Sequence, residues 1–179
     1  MKYGSIADIY SANKKIREGL EIVLGGISPD EAVRTPAGGG WSIEQIVEHI
    51  ALVGNGSARI CAKLLDGARE MNKPADGTFA LSERFRHAAE LAAKTRLEAP
   101  ARVQPTGSAT IAESLQNLAA ASQTLEAMRP EMASLDLSQH TFPHPYFGDL
   151  TAAEWLVIAG AHELRHTLQI QQVLEQVRP

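Results

Sequence analysis

The sequence predicts an all-α protein, a four-helix bundle with an excursion of loop and short helix between the second and third long helices. Three observations carry this. Apolar residues recur at steps of three and four over four long stretches, period-two alternation is almost absent, and Gly- and Pro-rich breaks separate the stretches. With 179 residues, 44% of them hydrophobic, the chain suits one domain spanning 1–179 with a full core.

The first long helix is read from Ile6, Ile9, Ile16, Leu20, Val23 and Ile27, which share one face. Gly25-Gly26, Pro29, Pro36 and Gly38-Gly39-Gly40 then define a loop, with a helical turn at Ser28–Glu31. Ser42 and Gln45 form a capping box for the second helix, and Trp41 and Ile46 occupy the positions of a hydrophobic staple. Its apolar side runs through Ile43, Ile46, Ile50, Val53, Ile60 and Leu64 toward an end near Gly67, with Gly54 and Gly56 expected to permit close approach. Residues 68–108 are punctuated by Pro74, Gly77, Pro100, Pro105 and Gly107, and hold one helix, about Leu81 to Leu97. The third long helix follows from Ile111, Leu115, Leu118, Ser122, Leu125 and Met132. After a loop from Ser134 to Leu150, Thr151 and Glu154 cap the fourth, with Leu150 and Trp155 as its staple, and it continues to about Gln176. The neighbouring helices are expected to pack antiparallel.

A net charge of −4, with no Lys/Arg run longer than two, argues against a nucleic-acid ligand. Residues Met1 to Tyr10 lack the apolar core of a signal peptide, and no stretch approaches a membrane span, so a soluble cytoplasmic protein is expected. Cys61 is the one cysteine, which excludes an intrachain disulfide and a Cys-rich zinc site. Its neighbours Ile60, Leu64 and Leu65 make it a small buried residue rather than a nucleophile.

The chemistry concentrates on the last helix. His162 and His166 fall in phase with its apolar stripe of Trp155, Ala159, Ile170 and Val173, so both imidazoles should point inward. Histidines four apart can converge on one ion at about 2.0–2.1 Å. His49, flanking the buried side of the second helix between Ile46 and Val53, is the candidate third ligand, since bundles build sites from facing helices. Three neutral imidazoles would leave a divalent ion its full charge and open positions, as in a catalytic site. Zinc, nickel, iron, copper and manganese are not distinguished by these ligands. Because the ligands must be neutral, metal affinity should fall below about pH 6.5.

His162-Glu163-Leu164-Arg165-His166 also spells the HExxH motif of zinc proteases, with Glu163 as general base. The metzincin extension fails, since Gln169 and Gln172 stand where its glycine and histidine belong, and thirteen residues follow His166. Glu163 lies about 100° round the helix from His162 and is expected to face solvent, a weak candidate for base or supporting partner. A di-iron carboxylate site would need a glutamate three before His49, and Ile46 is there.

Taken together, Trp41-Ser42-Ile43 leading to His49, His144-Pro145-Tyr146-Phe147-Gly148 followed by Glu154-Trp155-Leu156, and His162, Arg165-His166 and Gln169-Ile170 resemble the DinB/YfiT-like superfamily of metal-dependent enzymes. The resemblance implies a four-helix bundle, often a homodimer, with a divalent ion on the three histidines. It also implies enzymes that conjugate or isomerise small substrates with a low-molecular-weight thiol such as bacillithiol or mycothiol. The second domain of the mycothiol-dependent isomerases is not expected here. His144 belongs to the matching loop and is a candidate either for the site or for shaping the turn, while Arg165 and Gln169 are candidates to bind an anionic substrate or orient a ligand. His87 and His140 read as surface or loop residues.

Two functions follow as expectations. One is an enzyme in which the ion activates a thiol or water for attack on a small electrophile, as a thiol S-transferase or hydrolase. The other is a non-catalytic metal-binding module whose surface binds a protein partner.

Overall fold

A computed structural model describes residues 3–92, 94–95 and 97–178. Its long helices are α1 (Ile6–Gly25), α3 (Ile43–Met71), α5 (Ile111–Ser134) and α6 (Ala152–Val177), with two short ones, α2 (Pro29–Val33) and α4 (Glu83–Ala92). The chain resembles a four-helix bundle in architecture, as its periodicity predicts. Both expected capping boxes form, at Ser42/Gln45 and Thr151/Glu154, and two more start α2 and α5 at Ser28/Glu31 and Thr110/Glu113. The second long helix outruns its expected end at Gly67 and stops at Met71, where Asn72 takes the left-handed conformation that closes a helix. Ala93 and Arg96, inside the helix expected over Leu81 to Leu97, lie outside the described residues.

The core has two apolar ends. At one, Ile6, Ile9 and Tyr10 of α1 meet Cys61, Leu64 and Leu65 of α3, Met128 and Met132 of α5, and Trp155 and Leu156 of α6. At the other, Leu20 and Leu24 meet Ile43, Ile46 and Ile50, Leu118, Ile170 and Val173. Reading each helix through these ends gives its direction. α1 and α6 run one way, α3 and α5 the other. Around the bundle α1 touches α5 and α6, and α3 touches the same two. Antiparallel packing therefore holds for α1 with α5 and for α3 with α6, whereas α3 with α5 and α1 with α6 are parallel pairs. Here the expectation of an antiparallel bundle is corrected, and the parallel α3–α5 pair explains the excursion. A chain leaving α3 at one end must return along the bundle to begin α5 at the other, a climb of roughly 35–40 Å at about 1.5 Å per helical residue.

Polar contacts fasten that return. Ala75 N–H donates to Ser134 O (2.8 Å), Ser82 N–H and hydroxyl donate to the buried Glu154 (2.9 and 2.6 Å), and Arg165 donates to the carbonyls of Ala92 and Thr95 (3.1 Å each). Glu48, also buried, accepts from Thr106 N–H, Thr106 hydroxyl and Gly107 N–H at 3.0, 2.7 and 2.8 Å. The expected loop from Ser134 to Leu150 contains an antiparallel hairpin, β1 (Phe142–His144) with β2 (Gly148–Leu150), in register Phe142↔Leu150 and His144↔Gly148. Gly54 does allow close approach, since a Cβ there would lie 2.7 Å from Leu118 Cδ1, but Gly56 faces open space. No helix among the described residues is long and apolar enough to cross a membrane.

Candidate metal centre

Between the two apolar ends lies a polar waist. On α6 it holds His162, Glu163 and His166, framed by Ile158 on one side and Ile170 on the other. Its α3 member is His49, almost fully buried and one residue before Ile50. The structure brings the three predicted histidines together. Their rings lie 4.4–4.8 Å apart centroid to centroid, and one nitrogen from each falls within 4.8 Å of the others.

The hydrogen-bond partners decide which nitrogens face inward. His49 Nδ1–H donates to the Val103 carbonyl at 2.6 Å, and since a carbonyl only accepts, Nε2 of His49 is left with a bare lone pair. His166 Nδ1–H donates to Gln169 Oε1 at 2.7 Å, which likewise leaves Nε2 free. His49 Nε2 and His162 Nε2 stand 3.0 Å apart. Two nitrogens each about 2.0–2.1 Å from one ion, at coordination angles between about 90° and 109°, would be about 2.8–3.4 Å apart, so this pair fits a small divalent cation, with the third donor within 4.8 Å. Anchoring the far nitrogen of each ligand is how proteins orient imidazoles toward a metal. The 3₁₀ turn Ala101–Val103 supplies the anchor for His49, and Glu48, by holding Thr106 and Gly107, fixes the segment that carries the turn.

Electrostatics keep the set neutral. Burial lowers the pKa of His49, against the opposing hydrogen bond to Val103. Burial, then His166 and His49, push His162 well below its ordinary value. His166 is pushed down to about 4 by burial and by His49, despite its bond to Gln169. Neutral imidazoles offer lone pairs to a cation, and at neutral pH all three are available.

Other candidates fall differently. Glu163 does not face solvent as expected. It is buried, and it pairs with Arg17 of α1 through two bonds, Nε to Oε1 at 2.7 Å and Nη2 to Oε2 at 2.8 Å. Arg17 Nη1 also donates to Ser122 Oγ (3.0 Å), so one guanidinium joins α6, α1 and α5. The carboxylate of the HExxH pattern is thus committed to a structural pair. Arg165, exposed on α6, donates to the carbonyls of Ala92 and Thr95 and so ties the connecting segment to the helix. Gln169 accepts from His166 Nδ1–H and so holds the orientation of that ring. Cys61 is buried beside the Ala152 carbonyl (3.7 Å), and burial pushes its thiol up to about 12, which removes it as a nucleophile.

His144 comes back toward the centre, because the hairpin folds along the start of α6. Its ring lies 5.1 Å from Trp155 and 4.8 Å from Phe147, and its charge would be felt at His162. Sequence reasoning missed Arg17, Glu48 and Val103. Arg17 was findable by phase, since Ile6, Tyr10, Asn13, Arg17, Leu20 and Leu24 step along one face. Val103 was not, because it acts through its backbone.

The fold and the ring nitrogens together define a helical bundle with a three-histidine cluster set between α3 and α6. The model of the DinB superfamily matches residues 12–170, and the chain belongs to that superfamily. It is 23% identical over 162 residues to the uncharacterized protein YuaE of Bacillus subtilis (strain 168), covering 86% of this chain and 90% of that protein. Among solved structures it is similar to TT2238, a four-helix bundle protein, with a TM-score of 0.62 and 22% identity over 94% of this chain and 99% of that one.

Proposed function

We propose that this chain is a metal-dependent enzyme in which His49, His162 and His166 hold one divalent ion and a thiol attacks a small electrophilic substrate, as in a thiol S-transferase. The observation that carries the reading is the convergence of three nitrogen donors, two of them with the far nitrogen already bonded to Val103 and Gln169. When bound, the ion would supply positive charge that favours the ionised form of a thiol or a water. The residues around it favour the thiol. A water needs a base to take its proton, and Glu163, the carboxylate the motif would provide, is held by Arg17. A thiol, with an ordinary pKa of about 8.5, needs far less help. Zinc, nickel, iron and manganese all suit the ligands. The reading carries with it a cytoplasmic homodimer acting on small molecules, folded as one domain over 1–179.

One observation favours a second reading, a metal-binding module without catalysis. Two open hollows of about 310 and 730 Å³ lie between α3 and α5 and between α1 and α6, and neither of these two is lined by the three histidines. The test is to reconstitute the protein with each metal and follow conjugation of bacillithiol, mycothiol or cysteine to 1-chloro-2,4-dinitrobenzene. Metal-dependent conjugation that disappears in His166→Ala is expected. One bound equivalent that raises the melting temperature but supports no conjugation with any thiol would leave the module reading in its place.

A further inference from the structure

The connecting segment over residues 98–107 is tied to the rest of the bundle at three places. At its start the Tyr146 hydroxyl of the hairpin donates to Glu98 O (2.5 Å), and at its end Thr106 and Gly107 donate to the Glu48 carboxylate (2.7–3.0 Å). Between these pins the third tie is the bond from His49 Nδ1–H to Val103 O (2.6 Å). Among the described residues it is the only hydrogen bond that leaves residues 99–105. The other bonds of that stretch turn inward, from Val103 N–H to Pro100 O, Gln104 N–H to Ala101 O and Gln104 Nε2–H to Ala99 O. No residue from 97 to 108 is buried, so apolar packing adds little to the attachment. Pro100 and Pro105 bracket the 3₁₀ turn with a fixed φ and no N–H to offer. The middle of the segment therefore hangs as a stiff unit on one ring nitrogen of His49.

That nitrogen answers to the other one in the ring. A neutral imidazole carries a single N–H, on Nδ1 or on Nε2. His49 Nε2 and His162 Nε2 stand 3.0 Å apart, and a hydrogen bond across that distance needs one proton between them. With the proton on His162, His49 keeps its Nδ1–H and the bond to Val103. With the proton on His49 Nε2, Nδ1 is bare and faces a carbonyl that only accepts, so the bond is lost. The metal-free cluster has both arrangements open to it, whereas a cation needs the lone pair of His49 Nε2 and admits only the first. The rings stay neutral in either case, since His162 carries its proton on Nδ1 once its Nε2 is a ligand.

We propose that residues 98–107 form a strap governed by the three histidines: a bound cation fixes His49 as the Nδ1–H tautomer and holds the strap down, and an empty site lets it lift at Val103. The inference rests on reading the histidines as a metal centre and adds a control on that centre. Coupling of this kind is reciprocal, so loosening the strap at either pin must also weaken the hold on the cation.

The test is hydrogen–deuterium exchange by mass spectrometry on untagged protein, stripped of metal and then loaded in parallel with zinc or nickel, with metal content measured on the same samples. One bound equivalent should slow exchange in peptides covering residues 98–107 by about tenfold, the scale of one hydrogen bond, and leave the last turn of α5, at the opposite end of the bundle, unchanged. Tyr146→Phe and Thr106→Val each remove one hydroxyl from a pin without touching a histidine. Each should weaken metal affinity about threefold in competition with a chelator. Arg69→Ala, which breaks an ion pair to Glu131 on the surface, should leave the affinity at the wild-type value. Strap exchange that is the same with and without one bound equivalent, or wild-type affinity in both pin variants, would overturn the strap and leave the metal reading standing. Protein that takes up neither metal would overturn both.

Discussion

His162 and Glu163 are neighbours in the chain and sit in the same polar waist, yet they face two sides of the bundle with opposite electrostatics. On the Glu163 side the charges close on themselves. Arg17 and Glu163 match bidentately, Ser122 takes a further donor, and the cluster needs nothing from outside. On the His162 side three neutral rings converge, with Nε2 of His49 and Nε2 of His162 3.0 Å apart, and no described carboxylate pairs with them. A buried polar cluster that satisfies itself holds helices together, while neutral histidines that converge without a countercharge make a candidate cation site.

The largest way to break this contrast is at the closed side. Glu163→Ala strands a partly buried guanidinium and should cost about 2 kcal/mol by urea denaturation, whereas replacing both partners, Arg17→Met with Glu163→Leu, should cost far less. If the single variant were as stable as wild type, the pair would not be the closed half of the waist. Next is Glu48→Ala, which removes the acceptor for Thr106 and Gly107. A loss of about 1–2 kcal/mol is expected. Metal affinity should also weaken by about tenfold as the Val103 anchor loosens, and competition with a chelator would read this.

Acid separates the two sides further. The histidine pKa values are lowered by folding, with His166 at about 4, so between that pH and the ordinary value near 6.5 the unfolded chain binds protons that the folded chain refuses. Stability of the metal-free protein should therefore be full above about pH 6.5 and fall as the pH drops toward 4. Melting curves across that range should show the slope, and His162→Leu should reduce it. The same burial moves metal loss to lower pH than the reference histidine value suggests. The smallest effect belongs to Arg165→Ala, expected to change global stability by less than about 1 kcal/mol while speeding amide exchange at the end of α4 and leaving metal content untouched.

The difference between the two sides also sets what the sequence revealed. His49, His162 and His166 were legible because each falls in or beside an apolar stripe, where a polar ring needs a reason to be. Glu163 was misjudged because α6 is buried round most of its circumference, Trp155 through Ile158 without a break, so an angle of about 100° from the histidines still points into protein. The four long helices announced themselves through periodicity and capping boxes. The return from α3 to α5 did not, because backbone carbonyls at Ala92, Thr95, Glu98 and Val103 receive its key bonds, and a carbonyl is the same in every residue. The hairpin escaped because three-residue strands containing Pro143 and His144 are too short to alternate.

The central claim is that one side of the waist completes itself and the other completes itself with a cation. Elemental mass spectrometry of untagged protein prepared without chelator, comparing wild type, His49→Ala, His166→Ala and Glu163→Gln, tests it directly. About one metal equivalent in wild type and in Glu163→Gln, lost in both histidine variants, is the predicted result. If wild type took up no metal even on reconstitution, or the histidine variants kept it, the three rings would be no more than core residues and the contrast would fall.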